Sequence, residues 1–298
     1  MYQRDLLALG YREVKHAGFS WLAREEGARF LIGVGDWSPR GLSARAGWSC
    51  WEKPHHTVYL AREQNGTKYL IKVYPPDKSR PSVIARKVNR AKNEFYKVLV
   101  AYKNEIQTVL PLAVGEWRKD RGWGLIIYPF LDGAITLERV YANEHLGLLG
   151  ISIRERQYLE EAVGRLMRTL IDKGAYPVDA HLDHFLAVRL RGGKILIYYV
   201  DLERVRFNLW STKLLKRGKL IKTLGRLLAR LEWFRASGGR INRPSMMRIG
   251  CAYFRGGGLG ALDKRLCRAV IRAAKKYFHR REFHMRGSYP LRSIEPDE

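Results

Sequence analysis

The chain has 298 residues, 46% of them hydrophobic, which suits a globular protein able to bury the cores of two small lobes. Its 55 Lys and Arg against 29 Asp and Glu leave a formal charge of +26, so anionic partners are expected, while apolar stretches such as Leu125 to Leu131 are far too short for a membrane-spanning helix of about 20 residues. No signal peptide is visible, and Cys50, Cys251 and Cys267 have neither metal-ligand spacing nor a disulfide pattern, which together point to a reducing, cytoplasmic compartment.

The first 48 residues carry little periodicity and read as an N-terminal extension, with a strand expected over Phe30 to Gly35. The segment Trp51 to Thr57, WEKPHHT, comes next and has no glycine. Val58 to Arg62 and Lys68 to Tyr74 then flank Asn65-Gly66, a dipeptide suited to a tight turn with positive φ, so a hairpin is expected. Lys72 sits near the end of its second strand, KYLIKVY. A helix is expected over 82–103, and it carries Glu94. Leu110 to Trp117 and Gly124 to Leu131 read as two further strands around the polar turn Arg118 to Gly122.

The second half opens with an amphipathic helix, its apolar residues Leu159, Ala162, Val163, Leu166, Met167, Leu170 and Ile171 lying three or four apart and stopped by Gly174. Asp179 follows in a loop, with His181, Asp183 and His184 close behind. The runs His184 to Leu190 and Lys194 to Val200 flank Gly192-Gly193 and predict a second hairpin, and Asp201 emerges from its end. Two carboxylates on either side of a hairpin suit phosphoryl transfer, in which one orients and deprotonates the attacking hydroxyl and another holds magnesium on the ATP phosphates.

At these residues the sequence resembles the lipopolysaccharide core kinases, the Kdo and heptose kinase family with a protein-kinase-like fold. The resemblance rests on G-x-x-x-x-D-x-x-x-x-H-F-L at Gly174, Asp179, His184, Phe185 and Leu186, and on V-D-L-x-R-x-R from Val200 through Arg206. It covers roughly residues 50–235. It implies that Asp179 is the catalytic base, with His181 matching a D-x-H arrangement and His184 standing where other kinases have a metal-binding asparagine. It further implies that Asp201 binds the metal, Lys72 reaches the ATP phosphates and Glu94 fixes Lys72. Pro129 to Gly133 is then the adenine hinge, with Tyr128 and Phe130 as nucleotide contacts, and Trp51 to Thr57 covers the phosphates with help from Lys53. The cofactors implied are ATP and magnesium. Departures are Pro177 and Val178 ahead of Asp179, Leu202-Glu203 in place of Phe-Gly, and no glycine-rich loop.

The charge is uneven, with 24 Lys and Arg against 7 Asp and Glu from Leu202 onward, an excess of 17. Lys213 to Arg240 and Lys264 to Arg286 carry most of it, and both have helical apolar spacing. Such helices suit an anionic lipid surface or nucleic acid. Only the first also agrees with the kinase motifs. The expectation is therefore an α+β, bilobal protein-kinase-like fold: an extension over 1–48, an antiparallel N-lobe over 49–131 and a mainly helical C-lobe over 132–298. The function expected is an ATP-dependent kinase of a heptose or Kdo hydroxyl, peripheral at the cytoplasmic face of the inner membrane, with lipopolysaccharide or its core-lipid A precursor as partner. The alternatives are a non-catalytic pseudokinase that binds membrane or nucleic acid, and a small-molecule phosphotransferase.

Overall fold

The computed structural model describes residues 2–38, 41–42, 45, 48–53, 56–62, 66–75, 89–117, 123–142, 151–208, 213–255 and 264–285. The chain divides into two compact units, Met1–Ala134 with Tyr198–Glu203, and Ile135–Ile197 with Arg204–Glu298.

The first unit is built on seven antiparallel strands: β1 (Arg12–His16), β2 (Phe19–Ala23), β3 (Ser49–Lys53), β4 (His56–Arg62), β5 (Lys68–Tyr74), β6 (Ala113–Trp117) and β7 (Gly124–Pro129). Their order is β1-β2-β6-β7-β5-β4-β3. Helices α1 (Tyr2–Ala8), α2 (Glu25–Val34) and α3 (Arg90–Lys103) accompany them. Alternation along β5 decides which face each side chain meets, because successive residues of a strand point to opposite sides. Tyr69, Ile71 and Val73 join the core that holds Trp21, Phe30, Trp37 and Ile127. Tyr74 belongs to the opposite core, with Phe95 and Leu99 of α3. Lys72, two residues before Tyr74, therefore looks toward α3. That helix starts where the Asn89 side chain accepts from the Lys92 amide at 3.0 Å, and it buries the face carrying Ala91, Glu94, Phe95 and Val98.

Two expectations at the N-terminus change. Phe30 to Gly35, expected as a strand, lies mostly in α2: Phe30, Leu31 and Val34 form one buried helical face, and Gly35 closes the helix with φ 75°. Residues 1–48 add β1 and β2 to the sheet, joined at Ala17 and Gly18 by a turn with φ of 48° and 79°. The helix expected over 82–103 is observed from Arg90; residues 76–88 lie outside those described, as does the turn at 63–65.

The second unit is mainly helical, with α4 (Leu137–Ala142), α5 (Ile153–Asp172), α6 (Lys213–Ala236), α7 (Arg243–Arg255) and α8 (Lys264–Met285). Strands β8 (Ile135–Thr136), β10 (Phe185–Arg189) and β11 (Ile195–Tyr199) form one small sheet, ordered β11-β10-β8. Gly192 and Gly193 turn the expected hairpin with φ of 96° and 83°, a backbone that glycine adopts without steric cost. Strands β9 (Ala175–Pro177) and β12 (Val205–Phe207) pair antiparallel, Pro177 opposite Val205. α5 and α7 approach closely at Gly164, where a Cβ would lie 2.8 Å from that of Ala252; Gly225 does the same for α6 against Ala273 of α8. Leu220, Leu224, Leu227 and Leu231 form the buried stripe of α6. Among the described residues no helix is long and apolar enough to cross a membrane.

Candidate active site

In the first unit, the β5 alternation and the buried face of α3 bring Lys72 and Glu94 together. The Lys72 Nζ donates to both Glu94 carboxylate oxygens at 3.0 Å and to Asp201 Oδ1 at 3.2 Å. Glu94 is 1% exposed. Its Oε1 also accepts from the Tyr128 hydroxyl at 2.7 Å, and its Oε2 accepts from Tyr74. Both tyrosines stand on the Lys72 face, since Lys72 pairs with Ile126 and Leu70 with Tyr128 in the β5–β7 register. Burial disfavours the charge on Lys72, but the carboxylates of Glu94 and Asp201 reverse this and hold its pKa above the ordinary lysine range. Burial raises both phenols, and the Glu94 charge adds to the effect, so they remain donors.

Asp201 reaches this cluster because the end of β11 is anchored within the same unit: the Tyr199 amide donates to Gln107 O at 2.9 Å, and Thr108 Oγ1 donates to Tyr199 O at 2.9 Å. Asp201 has φ 61°, a left-handed backbone that non-glycine residues seldom adopt, and such residues gather at functional sites. Beyond it, Arg90 of α3 pairs with Glu203 at 2.6 Å, and Lys97 donates to the Glu203 carbonyl.

Oxygens of Glu94, Asp201 and Glu203 lie within 4.8 Å of one another. These are hard donors of the kind magnesium takes. Glu94 is closed to a cation by Lys72 and the two phenols, which leaves Asp201, a third exposed, and Glu203, whose Oε1 is already paired with Arg90, as the carboxylates that fit magnesium here.

In the second unit, β9 ends at Pro177 and the chain turns so that Val178 N donates to Arg204 O at 3.2 Å. This puts the Asp179 carboxylate among cations. Oδ1 meets His181 Nε2 at 3.1 Å and the Arg230 guanidinium, and Oδ2 meets Arg204 at 3.3 Å. Burial tends to raise its pKa, but the His181 hydrogen bond and the charges of His181, His184 and Arg204 outweigh this and hold it below the ordinary aspartate value. The His184 ring packs edge-on to His181 at 5.2 Å. His184 Nε2 lies 3.7 Å from Asp183 Oδ1, a buried oxygen that accepts no hydrogen bond among the described residues.

The expected site residues thus fall into two groups, Lys72, Glu94, Tyr128 and Asp201 in one unit and Asp179, His181 and His184 in the other. Tyr128, expected as a nucleotide contact, places its hydroxyl on Glu94. Phe130 lies beneath Lys68, whose Nζ is 5.2 Å from its ring and 3.1 Å from Asp132. Lys53 ends β3 and pairs with His56 at the start of β4; the Lys53 side chain, Pro54 and His55, which belong to the expected phosphate-covering segment, lie outside the described residues. Sequence reasoning missed Tyr74, Arg90, Glu203 and Arg230, and read Arg204 only as part of the V-D-L-x-R-x-R run. Tyr74 was within its reach, standing two residues after Lys72 on the same strand.

No family model and no curated protein matches the chain. Solved structures do. WaaP in complex with acyl carrier protein superposes with a TM-score of 0.56 at 19% identity, over 87% of this chain and 99% of that one. The Rio2 kinase-ADP/Mg2+-phosphoaspartate complex from Chaetomium thermophilum has a TM-score of 0.46 at 11% identity, covering 92% and 83% of the two chains. The amicoumacin kinase hAmiN bound to AMP-PNP, Ca2+ and Ami gives 0.44 at 11% identity over 84% of each. The likeness to WaaP carries the assignment of fold: α+β and protein-kinase-like, an antiparallel sheet unit followed by a mainly helical one.

Proposed function

We propose that the chain is an ATP-dependent kinase that phosphorylates a sugar hydroxyl, heptose or Kdo, of the lipopolysaccharide inner core. The observation that carries the kinase reading is Lys72 Nζ shared between Glu94 and Asp201, residues 22 and 129 positions away along the chain. In this reading Lys72, kept cationic by its two carboxylates, binds the α- and β-phosphates of ATP. Asp201 and Glu203 hold magnesium, which when bound neutralises charge on the phosphates. Asp179 orients the acceptor hydroxyl and takes its proton. Its low pKa keeps it ionised at neutral pH, and His181 fixes the carboxylate from one side. Asp183, whose buried Oδ1 accepts no hydrogen bond among the described residues and lies 3.7 Å from His184 Nε2, is the second unit's candidate for a metal ligand, leaving His184 to orient it.

The sugar acceptor is supported by the motif around Asp179, by the WaaP-like fold and by the basic helices α6 and α8, which suit a phosphorylated glycolipid at the cytoplasmic face of the inner membrane. A second reading concerns partners: acyl carrier protein is bound by WaaP, and co-purification with this chain tests whether it is bound here too.

The decisive assay uses purified protein, magnesium-ATP and a delipidated core oligosaccharide, with phosphate addition read by mass spectrometry. Asp179→Asn and Asp201→Asn should each lower transfer by about 10²-fold or more at unchanged folding. Lys72→Ala should lose protection against heating by magnesium-ATP. Wild-type protein that is neither protected by nucleotide nor active on any core sugar would establish the pseudokinase instead.

A further inference from the structure

The carboxylate assigned as base is already engaged. Asp179 Oδ1 is met by Arg230 and His181, and Oδ2 by Arg204. An acceptor hydroxyl has to compete with these donors for a lone pair. The arginines also come from two separate elements: Arg204 lies just before β12, and Arg230 stands on α6, one turn after Arg226, whose guanidinium donates to the Val178 carbonyl at 3.2 Å. Three guanidinium groups thus converge on residues 178 and 179, two on the Asp179 carboxylate and one on the Val178 carbonyl. A structural ion pair needs only one arginine. Arg204 keeps 55% of its side chain exposed, and a guanidinium has five donors in a planar fork that matches carboxylate or phosphate oxygens.

We propose that Arg204 and Arg230 form an anion subsite, so that the acceptor carries an anionic group, phosphate or carboxylate, close to the hydroxyl that is phosphorylated. The proposal rests on the kinase reading. As the acceptor docks, its anion draws the two guanidinium groups away from Asp179. The freed carboxylate then accepts the hydroxyl proton while the hydroxyl oxygen bonds to the γ-phosphorus, and the bond from that phosphorus to the bridging oxygen breaks to leave ADP. A neutral sugar leaves Asp179 paired with arginine and reacts slowly, so the arginines select the substrate as well as hold the base.

The test compares three acceptors: neutral heptose, a heptose phosphate and a heptosyl-Kdo disaccharide with its carboxylate. Wild type should favour one or both anionic acceptors over heptose at least tenfold in kcat/KM, and the preferred one identifies the anion. In Arg204→Gln and Arg230→Gln that ratio should drop at least tenfold, mainly through a higher KM for the anionic acceptor. Arg230→Lys, which keeps charge but loses the fork, should fall between, and with the exposed Arg204→Gln it decides the matter if Arg230→Gln does not fold. A ratio near one in wild type, or equal loss on all acceptors in the variants, overturns the subsite and leaves the kinase reading intact. If no acceptor is phosphorylated, the kinase reading fails on its own, and thermal protection by inorganic phosphate remains as a separate readout. Protection of wild type that is lost in Arg204→Gln supports the anion subsite; no protection, or equal protection of both proteins, overturns it.

Discussion

Replacing Glu94 with glutamine keeps the side chain's shape and removes its charge at a buried point of the first unit. Glu94 is 1% exposed and the Lys72 side chain 13%, so little water can replace the lost partner. Removing one member of a buried ion pair typically costs about 3–5 kcal/mol, because the other charge stays buried. Asp201 still stands 3.2 Å from Lys72 and is a third exposed, which puts the expected cost nearer the lower end, about 3 kcal/mol. For a domain of this size each kcal/mol shifts Tm by about 2–4 °C, so Glu94→Gln should melt roughly 6–12 °C below wild type. Lys72→Met should lose a similar amount by stranding Glu94. The double variant removes both charges and should lose less than the sum of the singles, with a coupling of about 2 kcal/mol. The assay is thermal and urea unfolding of the four proteins at neutral pH. Strictly additive losses, or a Glu94→Gln protein melting with wild type, would refute the claim that these groups form one coupled buried pair.

Two more outcomes follow from charge. Asp179 has a folded-state pKa below the ordinary value of 3.8, so its ion pairs contribute stability that is complete above that value and disappears as the pH falls through the lower folded one; Asp179→Asn should flatten the loss of Tm measured on going from about pH 5 to pH 3. On α8, Arg272, Lys275 and Lys276 are all exposed, and reversing the three to glutamate should weaken sedimentation with lipopolysaccharide-bearing vesicles, by on the order of 1 kcal/mol per residue at low salt and less as salt is added. Unchanged vesicle binding, or control of RNA or DNA binding by the same three residues, would move the basic half from membrane to nucleic acid.

The parts of the fold legible in the sequence are those set by local periodicity. KYLIKVY follows the Asn65-Gly66 turn and is rich in apolar and aromatic residues, which placed Lys72 on a strand whose burial alternates from Lys68 to Val73, and the spacing from Leu159 to Ile171 marked α5. The motif formed by Asp179, His184 and Asp201 was readable because those residue types sit at fixed offsets from glycine turns, and the role given to each remains a proposal. Phe30 to Gly35 misled because a short apolar run has no period of its own; the helix beginning at Glu25 is revealed by the buried spacing of Gly27, Phe30, Leu31 and Val34. The arginines around Asp179 were hidden for another reason. Arg226 and Arg230 look like ordinary surface charge on a basic helix, and only the pairing of β9 with β12 and the course of α6 bring them to residues 178 and 179.

The residues after Asp201 weigh most on the choice between an enzyme and a pseudokinase. Protein kinases commonly follow this aspartate with Phe-Gly, and the packing of that phenylalanine sets active and inactive arrangements. Here Leu202 is fully buried, so an apolar side chain still anchors the segment. Glu203 replaces the glycine and brings an ion pair to Arg90, while Lys97 takes its carbonyl, so two cations of α3 strap residues 201–203 to the helix that carries Glu94. These contacts resist relaxation of Asp201 from its left-handed backbone, a conformation that costs about 1–3 kcal/mol and persists only where its surroundings over-determine it. What these contacts hold in place is the carboxylate of Asp201, which shares the Lys72 Nζ with Glu94.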